Sequence, residues 1–289
     1  MNVIRLSNGY EFEYVAASGA LGFDGQGWPW EQPLRVLGLF DPSLFKPVTK
    51  SLTWKPRRGN LRWHDPFRAV RFIDGGVVNA VDLTNLGFDW WLETVGRRLE
   101  SGRQSLIVSI YTEDETELRQ MAERLNDIDL AAVELNAHCP NHHGDFHHNA
   151  WQVVWFCELY RRLCRHPLIL KVSVLHNLNL IVPKAEPYIE AIDINSVPWS
   201  YVFPHRSPLR RLGGGAVSGQ PAQAVTWSIL RQLVNLTDIP VIGPSVWRYQ
   251  DIQALRGRGA QAISFGSIFL RYPWRPTIFV RRDQRENGR

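Results

Sequence analysis

Short apolar runs alternate along this chain with stretches whose apolar positions recur at three- and four-residue spacing, the first being the mark of buried strands and the second of amphipathic helices. Strands are expected at 15–19, 45–51, 105–110, 130–136, 168–173, 192–196, 239–243 and 262–266. Between them, residues 88–101 place Trp91, Leu92, Val95 and Leu99 on one helical face. Residues 112–125 do the same with Leu118, Met121, Ala122 and Leu125, behind Thr112 and Glu115 at capping-box spacing. Further helices are expected at 151–165, at 185–191 after Pro183, and at 221–236.

Strands alternating with helices eight times over make the pattern of an α/β fold, the (β/α)8 or TIM barrel, in a single domain spanning 1–289. Ahead of the first strand, Ile4-Arg5-Leu6 and Tyr10-Glu11-Phe12 flank Ser7-Asn8-Gly9, and Asn-Gly supplies the positive dihedrals of a tight turn, so 1–14 reads as a β-hairpin. Residues 56–76 are polar and irregular, and 199–212 read as a long polar loop, a lid or partner surface. The Arg-rich stretch 275–289 reads as a basic, solvated or frayed tail.

Composition narrows the class. With 44% hydrophobic residues the chain can fill a sizeable core, and its formal charge of +5 is scattered outside the tail, which argues against a nucleic-acid partner. Cys139, Cys157 and Cys164 show no C-x-x-C spacing, so a disulfide scaffold is excluded and a reducing cytoplasm is expected. Cys157 and Cys164 fall on one helical face as core thiols. The chain has no apolar run long enough for a membrane span and no signal-peptide core at its start.

The residues that need explaining stand at the C-terminal ends of the strands, where such barrels carry their active sites. Lys50 closes the second strand and Lys171 interrupts the apolar run of the fifth, and a buried lysine requires a partner or a task. The fourth strand ends in Glu134-Leu135-Asn136-Ala137-His138-Cys139-Pro140-Asn141. This stretch resembles the signature E-L-N-x-S-C-P-N of the dihydroorotate dehydrogenase family, with His138 at the serine. Companion elements extend the resemblance from Ala17 to Ser267: Thr49-Lys50-Ser51, the loop 77–87, Ile194-Asn195-Ser196, Gly213-Gly214-Gly215-Ala216-Val217-Ser218-Gly219, and the phosphate turns at 243–247 and 266–267.

The resemblance implies FMN as cofactor and a dihydroorotate-like small molecule as substrate. Oxidising a dihydropyrimidine removes a proton from one carbon and a hydride from its neighbour, and no side chain accepts hydride, so a flavin suits the task. By resemblance Cys139 is the base, and Lys50 touches both flavin and substrate. Cofactor contacts are expected from Ala17, Ser18, Gly19, Lys50, Ser51, Asn136, Lys171, Asn195, Gly215, Ser218, Gly219, Gly243, Ser245, Gly266 and Ser267. Substrate contacts are expected from Lys50, Asn79, Asn136, Asn141, Asn195 and Ser196, the asparagines offering donors and acceptors to a planar pyrimidinedione. The hairpin closes the bottom of the barrel in this family, and its barrels commonly pair as homodimers. The cysteine base resembles the soluble cytosolic class, whose electrons leave either to fumarate or through a partner flavin and iron–sulfur subunit to NAD.

Two elements depart from the family pattern. Asp82 stands at the glycine of the loop 77–87, where a carboxylate would repel that of the substrate. Pro244-Ser245-Val246 replaces glycines near the cofactor phosphate, removing one amide donor while Ser245 adds a hydroxyl. A flavin oxidoreductase acting on another heterocycle or enone, or a flavin-free binding barrel, therefore stays open. So does a metal at His138, Cys139, His142, His143, Asp145, His147 and His148, although their spacing matches no strong zinc pattern and no metal is assigned. A polar active-site lid is the preferred reading of that cluster.

Overall fold

The computed structural model describes residues 3–62, 64–99, 105–137 and 149–288. In chain order the strands are β1 (Ile4–Arg5), β2 (Glu11–Phe12), β3 (Tyr14–Ala16), β4 (Lys46–Pro47), β5 (Val70–Ile73), β6 (Gly76–Asn79), β7 (Ile107–Ile110), β8 (Ala132–Asn136), β9 (Leu168–Val172), β10 (Ala191–Ile194), β11 (Val197–Pro198), β12 (Ala216–Gly219), β13 (Ile242–Gly243) and β14 (Ala262–Phe265). The α-helices are α1 (Gln32–Val36), α2 (Phe88–Thr94), α3 (Glu115–Leu125), α4 (Ala150–Leu163), α5 (Leu178–Ala185), α6 (Gln223–Leu236), α7 (Gln250–Arg256), α8 (Ser267–Arg271) and α9 (Arg275–Glu286).

Eight parallel strands form the frame. Ladders join β13 to β14, β14 to β3, β3 to β4, β7 to β8, β8 to β9 and β9 to β10. Parallel bridges Val48↔Ile107 and Leu52↔Ile110 carry β4 onto β7, and Ile192↔Val241 carries β10 onto β13, so the ring closes. The central strands are buried on both faces, β8 and β9 throughout, which is why they read as unbroken apolar runs. Pro47 cannot donate to a ladder, and the second barrel strand is accordingly short, continuing only as the single bridges after it.

At the N-terminal end of the strands the hairpin pairs Ile4 with Phe12 around a turn in which Gly9 has φ 89°. Ile4, Leu6 and Phe12 pack onto Val15, Val48, Ile107, Ala132, Ile169, Ala191, Ile242 and Ala262, the first inward residues of the barrel strands, so the hairpin closes the bottom as expected. Asn8 fixes it by donating to the carbonyls of Leu130 and Ala131. The stripe Leu118, Met121, Ala122 and Leu125 of α3 is fully buried, as its periodicity predicts.

Several local expectations are corrected. The polar loop 199–212 holds two 3-10 turns, while the segment read as irregular loop at 56–76 holds β5, and the loop 77–87 and the turn 213–219 hold most of β6 and all of β12, in one antiparallel sheet of order β11-β12-β6-β5. Its central pairing, Ala216↔Asn79 to Gly219↔Gly76, joins residues about half the chain apart, and no local periodicity reports such a partner. Helix α2 ends at Thr94, short of the expected 101, and passes into a 3-10 turn at Gly96–Arg98. Asp114, not Thr112, caps α3 by accepting from the Glu117 amide, while the Thr112 hydroxyl donates to the Glu117 carboxylate. Helix α5 runs over Leu178–Ala185 with Pro183 inside it, earlier than the expected 185–191, because Asn177 caps its start.

The basic tail is α9. Pro276, Thr277, Val280 and Asp283 are buried against the barrel, and Arg256 of α7 reaches both Asp283 (2.5 Å) and Glu13 (2.7 Å). The arginines that suggested a solvated end lie on its outer face, while its inner face repeats at helical spacing.

Candidate active site

A cavity of about 670 Å³ opens at the C-terminal ends of the barrel strands, roofed on one side by the β11-β12-β6-β5 sheet. That volume falls within the roughly 300–1,000 Å³ of small-molecule sites. Of the expected site residues, Ala17, Ser18, Gly19, Lys50, Ser51, Asn79, Asn136, Lys171, Asn195, Ser196, Ser218, Gly219, Ser245, Gly266 and Ser267 line it. Cys139 and Asn141 lie outside the described residues, as does the histidine cluster. Gly215 and Gly243 are absent from the described lining. A Cβ on Gly215, whose φ is 79°, would come 2.7 Å from the Asn79 carbonyl oxygen, and one on Gly243 would come 2.8 Å from the Ala260 Cβ. Both glycines thus serve close packing, of strand beside strand within one sheet and of strand on helix α7.

The cavity floor is a connected polar layer delivered by neighbouring strands. Ser51 Oγ lies 3.2 Å from Ser18 Oγ and 2.8 Å from Ser109 Oγ, and accepts from Asn136 Nδ2 at 3.0 Å. Asn195 Nδ2 donates to Asn136 Oδ1 at 3.4 Å, and the Ser196 amide donates to Asn195 Oδ1 at 2.8 Å. Beneath them Lys171 Nζ lies 2.8 Å from Asp193 Oδ2 and 3.3 Å from Glu134 Oε2. Burial opposes the charge of Lys171, but the two carboxylates prevail and hold its pKa above the ordinary lysine value. At the side of the cavity Lys50 donates to the Asp82 carbonyl oxygen at 3.3 Å.

The two departures from the family pattern keep the backbone shape of glycine. Asp82 adopts φ 60° and Ser245 φ 67°, both in the left-handed region. The Ser245 carbonyl accepts from Gln223, and the following turn is held by Asp251, which accepts from the amides of Trp247 and Arg248.

Four features in or beneath the lining escaped the sequence reading. Asp193 stands two residues before Asn195 and Glu134 two before Asn136, so strand alternation puts each pair on one face, a signal that was available. Glu31 is 1% exposed, and burial raises its carboxyl to about 7 despite the Trp28 amide it accepts from. Trp28 and Trp30 stack at 5.2 Å beside it, with Trp30 half exposed at the mouth. Phe72 of β5 and Phe67 of the 3-10 turn before it complete an apolar rim. No spacing in the sequence joins these last three groups to the barrel.

Among the described residues no cluster of His, Cys, Asp or Glu could hold a metal ion, and no helix is long and apolar enough to cross a membrane.

A family model described as dihydroorotate dehydrogenase matches residues 20–268. Among similar proteins, the catalytic subunit of dihydroorotate dehydrogenase B (NAD(+)) from Geobacter metallireducens is 28% identical over 265 residues, covering 88% of this chain and 82% of its own length. The protein of that name from Petrotoga mobilis is 27% identical over 278 residues, covering 90% and 85%. That from Bacteroides thetaiotaomicron is 24% identical over 265 residues, covering 88% and 82%.

Proposed function

The chain belongs to the dihydroorotate dehydrogenase family, and on that premise we propose that it oxidises dihydroorotate to orotate in pyrimidine biosynthesis, with FMN as hydride acceptor and Cys139 as base. It is an oxidoreductase of the dihydroorotate dehydrogenase type. The observation that carries the finer reading is the convergence of Lys50, Asn136, Lys171 and Asn195 on one cavity from four different strand ends.

The lining fits a flat, polar-edged cofactor. Ala17, Ser18 and Gly19 present little bulk, and a Cβ built on Gly266 would meet only the Ala17 Cβ, at 3.5 Å. Lys171, Asn136 and Ser51 would face the ring's hydrogen-bonding edge, and Ser218, Gly219, Ser245 and Ser267 would hold the phosphate end. When bound, the flavin supplies the two-electron acceptor that side chains lack. Lys50, Asn79, Asn195 and Ser196 orient the substrate, and Cys139 as thiolate takes the proton from the carbon next to the one that loses hydride, becoming the thiol. A free thiol titrates near ~8.5, so its surroundings must favour the thiolate or exclude water. The similar proteins are named catalytic subunits, which supports transfer of electrons to a partner subunit; pairing into a homodimer and residence in the cytoplasm complete the proposal.

Asp82 favours a second reading. Asp82 lies in the lining, where its carboxylate and that of the substrate would meet as like charges, so the ring oxidised would be a neutral heterocycle or enone.

The test is an anaerobic absorption spectrum of the purified protein with dihydroorotate and, separately, with dihydrouracil, its carboxylate-free analogue. A flavin band near ~450 nm that dihydroorotate bleaches, and that Cys139→Ala retains without bleaching, is expected. Bleaching by dihydrouracil alone would favour the second reading. A colourless protein that FMN fails to reconstitute would make the barrel a binding subunit.

A further inference from the structure

Three ionisable side chains sit side by side under the cavity floor, Glu134 on β8, Lys171 on β9 and Asp193 on β10, exposed by 1%, 5% and 2%. The strands are in register so that Lys171 is the Cα partner of both Asn136 and Asp193, and alternation turns Glu134 to the same inner side as Asn136. Lys171 Nζ spans the two carboxylates, 2.8 Å from Asp193 Oδ2 and 3.3 and 3.4 Å from the oxygens of Glu134. Ser109 Oγ donates to Glu134 Oε1 at 2.7 Å and lies 2.8 Å from Ser51 Oγ, which meets Ser18 and Asn136. Hydrogen bonds therefore run unbroken from Glu134 to the cavity surface.

Counted as ions, the cluster holds two negative charges against one positive. A net charge withdrawn from water is costly, and the cheapest relief is one proton on a carboxyl. Glu134 is the group suited to hold it. Burial pushes its carboxyl up to about 7 against the pull of Lys171, and the charge of Asp193 and a carboxyl–carboxyl hydrogen bond to it push the same way, while Ser109 pulls down. Among the described residues these are the groups that face it, Ser109 from β7, Lys171 from β9 and Asp193 from β10; the cation Lys50 lines the same cavity from the segment after β4.

We propose that Glu134 is a proton-storing positioning residue: it takes one proton from solvent when the ring seated on the cavity floor is reduced and becomes negatively charged, and returns it on reoxidation. The inference rests on the FMN reading above. The balance is two electrons and one proton to the ring and a second proton to the Glu134 carboxylate, the electrons coming from substrate and leaving to the acceptor. Lys171 transmits the effect, because it cannot neutralise a new anion above it and two carboxylates beside it at once. As Glu134 is protonated Lys171 is freed to face the ring.

The experiment is the midpoint potential of the bound flavin between pH 7.5 and 8.5, by mediated spectroelectrochemistry, for the wild-type holoprotein, Glu134→Gln and Asp193→Asn. In the wild type two protons per two electrons are expected, so the potential falls with pH twice as steeply as in either variant, where one proton is taken up. Gln cannot accept the proton, and without Asp193 the cluster is neutral with Glu134 ionised. Equal slopes in all three, or a wild-type slope of one proton, would overturn the proposal; should one variant fail to fold, the other is compared with the wild type, and equal slopes in that pair overturn it. Infrared spectra of the flavin-free protein give the second readout: a protonated-carboxyl band that fades as pH rises through about 7 and is missing from Glu134→Gln. If that band is found in a chain that never binds FMN, the redox function fails and the coupling with it. If FMN binds but no such band titrates, the function stands and the proton store is wrong.

Discussion

Lys171 and Asp193 are direct partners across two parallel strands, and their side chains meet at 2.8 Å in a place with almost no solvent. An ion pair so buried gains little over an apolar pair of the same shape, but removing one partner strands the other. Lys171→Met leaves Glu134 and Asp193 facing each other and is expected to cost about 3–5 kcal/mol in urea unfolding. Adding Glu134→Gln and Asp193→Asn to it should restore most of that loss. A single variant as stable as wild type would mean that the carboxylates are already neutral.

Arg256 performs the corresponding task at the other end of the barrel, tying α7 to α9 through Asp283 and to the strand end through Glu13. Tyr14 donates to the same Asp283 oxygen at 2.5 Å, and Arg256 and Tyr14 together hold the Asp283 carboxyl below its usual range although burial opposes them. Arg256→Met should destabilise by about 3 kcal/mol and speed proteolytic cleavage within α9. Unchanged protection of α9 would show that its apolar face alone anchors it.

Glu31 makes stability depend on pH in the unusual direction for a carboxylate. Its folded pKa of about 7 lies above the unfolded 4.5, so its contribution is complete below 4.5 and is lost as pH rises through 7. Glu31→Gln removes the titration, and its stability advantage over wild type should grow by roughly 2–3 kcal/mol between pH 4.5 and 8. Parallel stability curves for the two proteins across that range would refute the assignment.

Asp82 holds a backbone conformation with φ 60° inside the cavity. Asp82→Gly is expected to leave stability within about 1 kcal/mol and to lower the KM for dihydroorotate by roughly tenfold, with little change for dihydrouracil, as one like charge is removed at close range. A KM unchanged for both would place the carboxylate away from the substrate.

The expectation of a barrel rested on local signals that survive into the folded state. Buried strands must be apolar on both faces and α3 on one, so the order of elements, the hairpin with its Asn8-Gly9 turn, and the strand-end positions of Lys50, Asn136, Lys171 and Asn195 could be read before any coordinates. What stayed hidden needed partners from distant segments. The antiparallel sheet pairs β6 with β12 across half the chain, Glu31 and the Trp28–Trp30 stack reach the cavity only because the excursion before β4 folds over it, and α9 looked frayed because charge density along the chain does not reveal which face is buried. Residue types and their order decided which groups stand at strand ends. Only the closed ring decided that a lysine and two carboxylates from three strands would share one dry floor, because charge, unlike periodicity, acts through space and not along the chain.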